Sequence, residues 1–116
     1  MNAKISAIAS FQPKDRLSND DLAGLFDDWS AEKIFKKTGI RERAIAAAGE
    51  TAGDLAASAA ESVFSDYSIA PESIDFLIFC TQSPDYFLPT TACVIHRRLG
   101  LRSNAGAIDV NQGCSG

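Results

Sequence analysis

The residue best suited to covalent chemistry in this 116-residue sequence is Cys114, within Gly113-Cys114-Ser115-Gly116. Ala107, Ile108 and Val110 precede it with the apolar pattern of a short buried strand. Small residues on both sides of the cysteine predict a tight turn that opens a helix. There, backbone N–H groups and the positive helix end favour a thiolate. Cys114 is therefore a candidate nucleophile, although the turn alone is equally compatible with a small buried side chain.

Other groups for cysteine or proton-transfer chemistry are few. His96, the only histidine, lies in a basic helical segment without a second catalytic partner, so we expect an exposed or interface residue rather than a general base. Gln112 stands where the α/β-hydrolase nucleophile motif requires glycine, which argues against that class. We expect Cys80 and Cys93 to be core residues. The three cysteines show no metal-ligand spacing, so no metal site is predicted.

Helices that surround these residues are predicted from N-cap residues and apolar spacing. The strongest signal is Thr51 with Asp54 three residues later, which begins a helix to Tyr67. Serine or threonine caps also precede the other three segments. The predicted helices cover Leu22–Phe26, Ser30–Lys36, Thr51–Tyr67 and Thr90–Leu99.

Two further strands are predicted. Ala3–Phe11 alternates at Ile5, Ala7 and Ala9, which indicates a sheet strand. Ile74–Thr81 is apolar on both faces, as is typical of the middle of a covered, largely parallel sheet. The polar and aromatic loop that follows it leaves the carboxyl end of the strand, where open α/β sheets place ligands.

Composition and charge exclude several classes of function. A net charge of -4 argues against nucleic acid as the main partner, because nucleic-acid binding needs a basic surface. No apolar run approaches the roughly 18–20 residues of a membrane span, and no signal-peptide pattern is present at the N-terminus. We therefore expect a cytoplasmic protein without membrane or nucleic-acid partners, and with free thiols.

Several motifs occur in one order along the chain, from Ser10 to Gly116, and together they are specific. They are Lys37-Thr38-Gly39-Ile40-Arg41-Glu42-Arg43, Thr81-Gln82-Ser83-Pro84-Asp85, Pro89-Thr90-Thr91-Ala92-Cys93, Leu99-Gly100-Leu101 and the ending around Cys114. With these motifs the chain resembles β-ketoacyl-acyl carrier protein synthase III of the thiolase superfamily. Cys114 falls on the cysteine that carries the acyl group in that family.

The resemblance implies an α/β fold, namely the N-terminal part of a thiolase-like fold with a mostly parallel mixed sheet covered by helices. Members of the family consist of two similar halves, and their catalytic histidine and asparagine come from the second half. Residues 1–116 are therefore expected to be the N-terminal portion of a condensing-enzyme domain that ends at the nucleophile turn. The C-terminal half is expected to be absent from this sequence, so these residues alone should not catalyse condensation.

The implied activity is acyl transfer to Cys114, then decarboxylative condensation with malonyl-acyl carrier protein. The Cys114 N–H would supply half of an oxyanion hole. The implied partners are acyl carrier protein, acyl-coenzyme A, a second copy in a homodimer and the C-terminal half. No cofactor is permanently bound, since the coenzyme A or phosphopantetheine thioester is a substrate. Two alternatives remain: a relative with a different acyl acceptor, forming an ester, an amide or a head-to-head product, and a non-catalytic half that pairs with another chain.

Donor binding is assigned to a basic segment in which five cations lie between Glu32 and Arg43. Charge alone favours a solvated face. The resemblance implies contact with coenzyme A phosphates or the carrier protein, and Lys37 matches a position that is commonly arginine. The family's adenine-stacking tryptophan aligns with Lys33, whereas the only tryptophan here is Trp29, one helical turn earlier. Trp29 either covers the same face or anchors the core; the candidate donor-site residues are Trp29, Lys33, Lys37 and Arg41.

Leu88 is the candidate acyl-pocket residue. It precedes Pro89 in the loop that crosses the dimer interface in the resembled family, at a position that is often aromatic. Because leucine is smaller, we expect a deeper acyl pocket and a preference for medium or branched donors over acetyl.

Overall fold

Two units make up residues 2–115, the part of the chain that the computed structural model describes. The smaller unit comprises Gln12–Gly49. The larger unit combines the residues up to Phe11 with those from Glu50 onward. No helix among the described residues is long and apolar enough to cross a membrane.

The smaller unit contains two strands and two helices. They are β1 (Asp15–Ser18), α1 (Asn19–Ala23), α2 (Ala31–Thr38) and β2 (Glu42–Ile45). β1 and β2 pair in antiparallel register, with Ser18 opposite Glu42. Buried Asn19 joins the elements: its amide donates to the Ile40 carbonyl oxygen at 2.7 Å, and its oxygen accepts from Arg43 at 3.0 Å. Arg43 is therefore a structural cation.

Both helices of this unit begin at predicted caps. The Ser18 hydroxyl accepts from the Asp21 N–H, and the Asp21 carboxylate accepts in return from the Ser18 N–H. The Ser18 hydroxyl and, to a smaller extent, the Ser18 N–H donate to the Asp21 carboxylate, and both bonds lower the pKa of Asp21. Because the cap fixes the start, α1 lies earlier than the predicted Leu22–Phe26. Ser30 caps α2 as predicted, accepting from the Lys33 N–H.

The larger unit is built around a parallel strand pair. Its elements are α3 (Ala52–Tyr67), a 3₁₀ turn (Pro71–Ser73), β3 (Phe76–Thr81), α4 (Thr91–Arg98) and β4 (Gly106–Asn111). β3 and β4 pair in parallel, with Phe76 opposite Gly106 and Thr81 opposite Asn111, and α4 forms the crossover between them. The buried core consists of Ala57, Phe79, Ala92, Ile95, Leu99 and Leu101. The predicted α/β class is confirmed.

Helix α3 begins at Thr51, as predicted. The Thr51 hydroxyl accepts from the Asp54 N–H, and the Asp54 carboxylate accepts from the Thr51 N–H at 3.0 Å. The bonds from Thr51, with a smaller contribution from Arg98, hold the pKa of Asp54 below its ordinary value. Arg98 on α4 also donates to Asp54 at 2.7 Å, so this carboxylate links the two helices.

Only one face of β3 is covered by the described helices. Leu77 and Phe79 face the core, whereas Phe76, Ile78 and Cys80 are exposed, Ile78 by 64%. Alternate side chains of a strand point to opposite faces, so the helices that cover Phe79 leave the other face open. The expectation that Cys80 is a core residue is wrong for this chain.

The predicted strand over Ala3–Phe11 is also wrong. In the described residues this segment forms no ladder with β3 or β4, and Ile5 is 80% exposed. The Ile8 carbonyl oxygen instead accepts from the Tyr67 hydroxyl at 3.0 Å. Alternation of apolar and polar residues shows which side chains share one face of a strand. It does not show whether a neighbouring strand is available for backbone hydrogen bonds.

Candidate active site at the carboxyl edge of the parallel strands

The parallel strands end together, so the two segments that follow them leave the same edge of the sheet. Thr81 is opposite Asn111; the loop from Gln82 to Thr90 follows β3, and Gln112–Ser115 follows β4. Ligands of open α/β sheets bind at such carboxyl edges. Cys114 and the loop of Leu88 therefore both originate at this edge.

Cys114 lies in a turn directly after β4. The Gln112 N–H donates to the Val110 carbonyl oxygen at 3.0 Å, and the chain bends at Gly113 before the turn at Cys114 and Ser115. The Cys114 thiol is free and exposed, as a nucleophile must be. Gly116, the last residue of the predicted turn, lies outside the described residues.

Gln82, which the sequence analysis did not single out, lies against this turn. A methyl group built on Gly113 would lie 3.1 Å from Gln82 Cδ and closer still to Nε2. The Gln82 side chain therefore occupies the space beside the residue that precedes Cys114. The only signal in the sequence was a glycine at position 113, which also fits an ordinary turn.

Asp109 ties β4 to the start of α4. Its carboxylate accepts from the Thr91 N–H at 2.8 Å and from the Ala92 N–H at 2.7 Å. Thr90, the N-cap residue, makes no side-chain capping bond, so Asp109 supplies the cap from another element. Sequence reasoning missed this role, although a carboxylate between Ile108 and Val110 in an apolar strand was a visible signal.

Asp85 anchors the loop after β3 to the start of α3. Its carboxylate accepts from the Gly53 N–H at 3.1 Å and from the Thr51 hydroxyl at 2.7 Å. The buried Thr91 hydroxyl accepts from the Asp85 N–H at 3.0 Å. Gly53 has no room for a side chain, because a methyl group there would lie 2.9 Å from Thr91 Cγ2.

The tip of the anchored loop carries exposed apolar side chains. Phe87 is 89% exposed and Leu88 is 86% exposed, with Tyr86 beside them, and the Leu88–Pro89 peptide is cis. The network around Asp85 fixes the base of the loop, while its tip makes little contact within this chain. Leu88 is therefore placed at the same sheet edge as Cys114 but on an open surface.

Three of the four predicted donor-site residues come together in the smaller unit. The ammonium groups of Lys33 and Lys37 lie 5.3 Å and 5.6 Å from the centroid of the Trp29 ring, within range of cation–π attraction. Trp29 also lines an apolar cavity of about 180 Å³ with Leu22, Phe26 and Ile34. Trp29 therefore packs beside apolar side chains and also contacts two ammonium groups.

Arg41, the fourth residue, has a different partner. Its guanidinium lies 4.4 Å from the centroid of the Phe35 ring. Both residues line an open cavity of about 320 Å³ that also contains Ser18 and Asn19. The basic segment therefore presents two separate cation–aromatic groups rather than one solvated helix face.

Cys93 and His96 lie on α4. Cys93 is exposed and accepts a hydrogen bond from the Thr90 hydroxyl at 3.3 Å, so the expectation that it is a core residue is wrong. The buried face of α4 is formed by Thr91, Ala92 and Ile95, and Cys93 does not belong to it. His96 Nε2 donates to the Arg102 carbonyl oxygen at 2.9 Å, which bonds the end of α4 to the connection leading to β4.

Comparison with known proteins gives a consistent set of relatives. No protein-family model matches the chain. The chain is 42% identical over 114 residues to beta-ketoacyl-[acyl-carrier-protein] synthase III 2 of Halalkalibacterium halodurans, covering 98% of the chain and 34% of that protein. It is 43% identical to the synthase III of Xylella fastidiosa, with 98% and 35% covered. The chain thus spans about a third of the length of the curated relatives it matches.

Solved structures agree with these relatives in fold. A crystal structure of a 3-oxoacyl-(acyl-carrier-protein) synthase III matches with a TM-score of 0.90 and 55% identity, covering 96% of this chain and 33% of that one. The enzyme from Thermus thermophilus matches with a TM-score of 0.88 and 36% identity, covering 98% and 35%. The predicted thiolase-like fold is therefore confirmed for the described residues.

Proposed function

Because the chain belongs by sequence and fold to the β-ketoacyl-[acyl-carrier-protein] synthase III family, of which it spans about a third, we propose that it forms the N-terminal part of a condensing enzyme. Residues 1–116 contribute the acyl-accepting cysteine, the donor-binding segment and the acyl-pocket loop. The family resemblance assigns the catalytic histidine and asparagine to a C-terminal half. The observation that supports the proposal most is the exposed Cys114 at the carboxyl edge of the parallel strands.

The first chemical step is transfer of an acyl group to Cys114. The thiolate attacks the carbonyl carbon of a coenzyme A or carrier-protein thioester, a C–S bond forms to Cys114, and the donor thiolate leaves. The backbone N–H of Cys114 stabilises the negative charge on the carbonyl oxygen, so the orientation of the turn matters as much as the thiol.

The second step is condensation with malonyl-acyl carrier protein. Loss of CO₂ leaves an enolate, which attacks the acyl carbonyl on Cys114. A C–C bond forms, the C–S bond to Cys114 breaks, and a 3-oxoacyl thioester is released on the carrier. No permanently bound cofactor enters either step, because both carriers are substrates.

Donor binding belongs to the basic segment of the smaller unit. Lys33 and Lys37 are held over Trp29, and Arg41 is held over Phe35, so three positive charges have defined positions. Such pre-positioned cations suit the phosphate groups of coenzyme A or the acidic surface of a carrier protein. Lys33 and Lys37 compete with adenine for the Trp29 ring, and this competition weakens the binding of coenzyme A.

The loop tip supports a homodimer in which Leu88 contributes to the partner's acyl pocket. An 86% exposed leucine beside an 89% exposed phenylalanine is costly on a free surface and favourable in an interface. The base of the loop is fixed by Asp85, so the apolar tip is carried on an anchored segment. The proposed enzyme acts in the cytoplasm, where malonyl-carrier and acyl thioesters are made.

The test is formation of a 3-oxoacyl-carrier product by the complete enzyme. Acyl-coenzyme A donors and radiolabelled malonyl-acyl carrier protein are supplied to wild type, Cys114→Ala and the matched control Cys93→Ala. We expect product from wild type and Cys93→Ala, and none from Cys114→Ala. Equal condensation by Cys114→Ala would contradict the proposal, and an ester, amide or head-to-head product would assign the chain to a relative with a different acceptor.

A further inference from the structure

The packing of Gln82 on Gly113 joins the two segments that leave the carboxyl edge of the sheet. Gln82 is the first residue after β3, and Gly113 is the second after β4. A Cβ at Gly113 would lie 3.1 Å from Gln82 Cδ and 3.5 Å from Gln82 Cγ. Gly113 is half-buried and Gln82 lies against it, although Gln82 itself is exposed.

Backbone conformation does not explain the glycine at position 113. Among residues 2–115, the glycines with positive φ are Gly39, Gly49 and Gly100, and Gly113 is not one of them. An alanine would therefore fit the backbone of the turn. Its methyl group would, however, displace the end of the Gln82 side chain.

The contact between Gln82 and Gly113 is a packing contact. Within residues 2–115 the Gln82 amide makes no hydrogen bond. The contact also places a neutral side chain against the residue that precedes the proposed nucleophile. A carboxylate of the same shape would oppose formation of a thiolate at Cys114, because like charges repel strongly at short range.

We propose that Gln82 is a positioning residue for Cys114. Its side chain fills the space left by Gly113 and limits movement of the turn, so the thiol and the N–H of Cys114 keep one orientation toward the acyl carbonyl. Its neutrality leaves the thiolate undisturbed. This inference rests on the proposed role of Cys114.

The first test measures Cys114 alkylation by iodoacetamide against pH in the complete enzyme, with peptide mapping to separate Cys80 and Cys93. Gln82→Glu is nearly isosteric and adds one negative charge. Asn104→Asp is the matched control: it adds the same charge at the opposite end of β4, whose six residues span about 20 Å. We expect alkylation at pH 7 and low salt to slow about three- to tenfold for Gln82→Glu, with the rate profile moved to higher pH. Asn104→Asp should match wild type.

The second test asks whether Gly113 is needed only because of Gln82. We expect Gly113→Ala and Gln82→Ala each to lower the rate of acyl transfer to Cys114 about tenfold, with little change in KM. The double variant should be no slower than Gln82→Ala, since the methyl group then has room. Thermal unfolding of each variant separates positioning from loss of fold.

Equal pH profiles for Gln82→Glu and Asn104→Asp, or additive losses in the double variant, would overturn the inference. These results are distinguishable from failure of the proposed function. Alkylation reports the surroundings of Cys114 whether or not the residue carries an acyl group, whereas acyl transfer by Cys114→Ala would refute the proposed function itself.

Discussion

Removing the Asp109 carboxylate should loosen the start of α4 and the strand that leads to Cys114. The carboxylate accepts two backbone N–H groups, at 2.8 Å and 2.7 Å, from residues that are fully buried. A hydrogen bond to a charged group contributes about 1.5–3 kcal/mol. Asp109 is only half-buried, so water partly replaces it and the lower figure applies. Asp109→Ala should therefore cost about 3 kcal/mol, from two bonds of about 1.5 kcal/mol each.

Native-state hydrogen exchange of the complete protein measures this cost locally. For Asp109→Ala, amides of the peptide containing Thr91 and Ala92 should exchange about a hundredfold faster than in wild type, since about 1.4 kcal/mol is tenfold. Asp109→Asn keeps one carbonyl oxygen and should give about tenfold. Asp27→Ala, at an exposed position, should change nothing. Unaltered exchange in Asp109→Ala would refute the capping role.

Four further predictions follow from other contacts. Because hydrogen bonds lower the pKa of Asp54, its stabilisation of α3 is present above about pH 4 and is lost as the pH falls; urea unfolding from pH 2 to 6 should show a weaker pH dependence for Asp54→Asn. Gly53→Ala should destabilise by about 1–3 kcal/mol through overpacking, whereas Gly24→Ala, with no atom nearer than 3.4 Å, should not; equal effects in thermal unfolding would contradict this. Lys37→Glu should raise the KM for the thioester donor more than it lowers kcat, and an unchanged KM would mean a solvated lysine. Leu88→Phe should shift the kcat/KM profile over donors of two to ten carbons toward shorter chains; if acetyl is already the best donor of the unmodified enzyme, Leu88 does not set the pocket depth.

Helix starts were predictable from the sequence because their determinants are local. Ser18, Ser30 and Thr51 each accept a hydrogen bond from a backbone N–H three residues later. A residue pair separated by three positions is visible without knowledge of the fold. The apolar runs that became β3 and β4 were visible for the same reason.

The sheet environment was not predictable because it depends on distant neighbours. Alternation gave Ala3–Phe11 the pattern of a strand but no hydrogen-bonded partner, and it gave Cys80 an apolar setting but not a covered face. Helical spacing likewise placed Cys93 in α4 but did not show which side of α4 packs inward.

The candidate site likewise has one part that local sequence predicts and one part that depends on distant residues. Cys114 was predictable because a cysteine in a small-residue turn after a strand is a local pattern. The contacts that organise its surroundings join residues more than 15 positions apart, such as Asp109 with Thr91 and Gln82 with Gly113. The identity of one residue does not reveal a partner so far away in the sequence. The roles of Asp109 and Gln82 were therefore visible only in the structure.

The central claim, that Cys114 accepts the acyl group, is tested most directly by intact-peptide mass spectrometry. The complete enzyme is incubated with an acyl thioester in the absence of malonyl-acyl carrier protein, so that the acyl-enzyme accumulates, and is then digested and mapped. All three cysteines of the chain are exposed, which makes the position of the label informative. We expect the acyl mass on the peptide containing Cys114 and its loss in Cys114→Ala. An acyl group on Cys80 or Cys93 would contradict the claim. Acylation of residues 1–116 in the Cys114→Ala enzyme would contradict it as well.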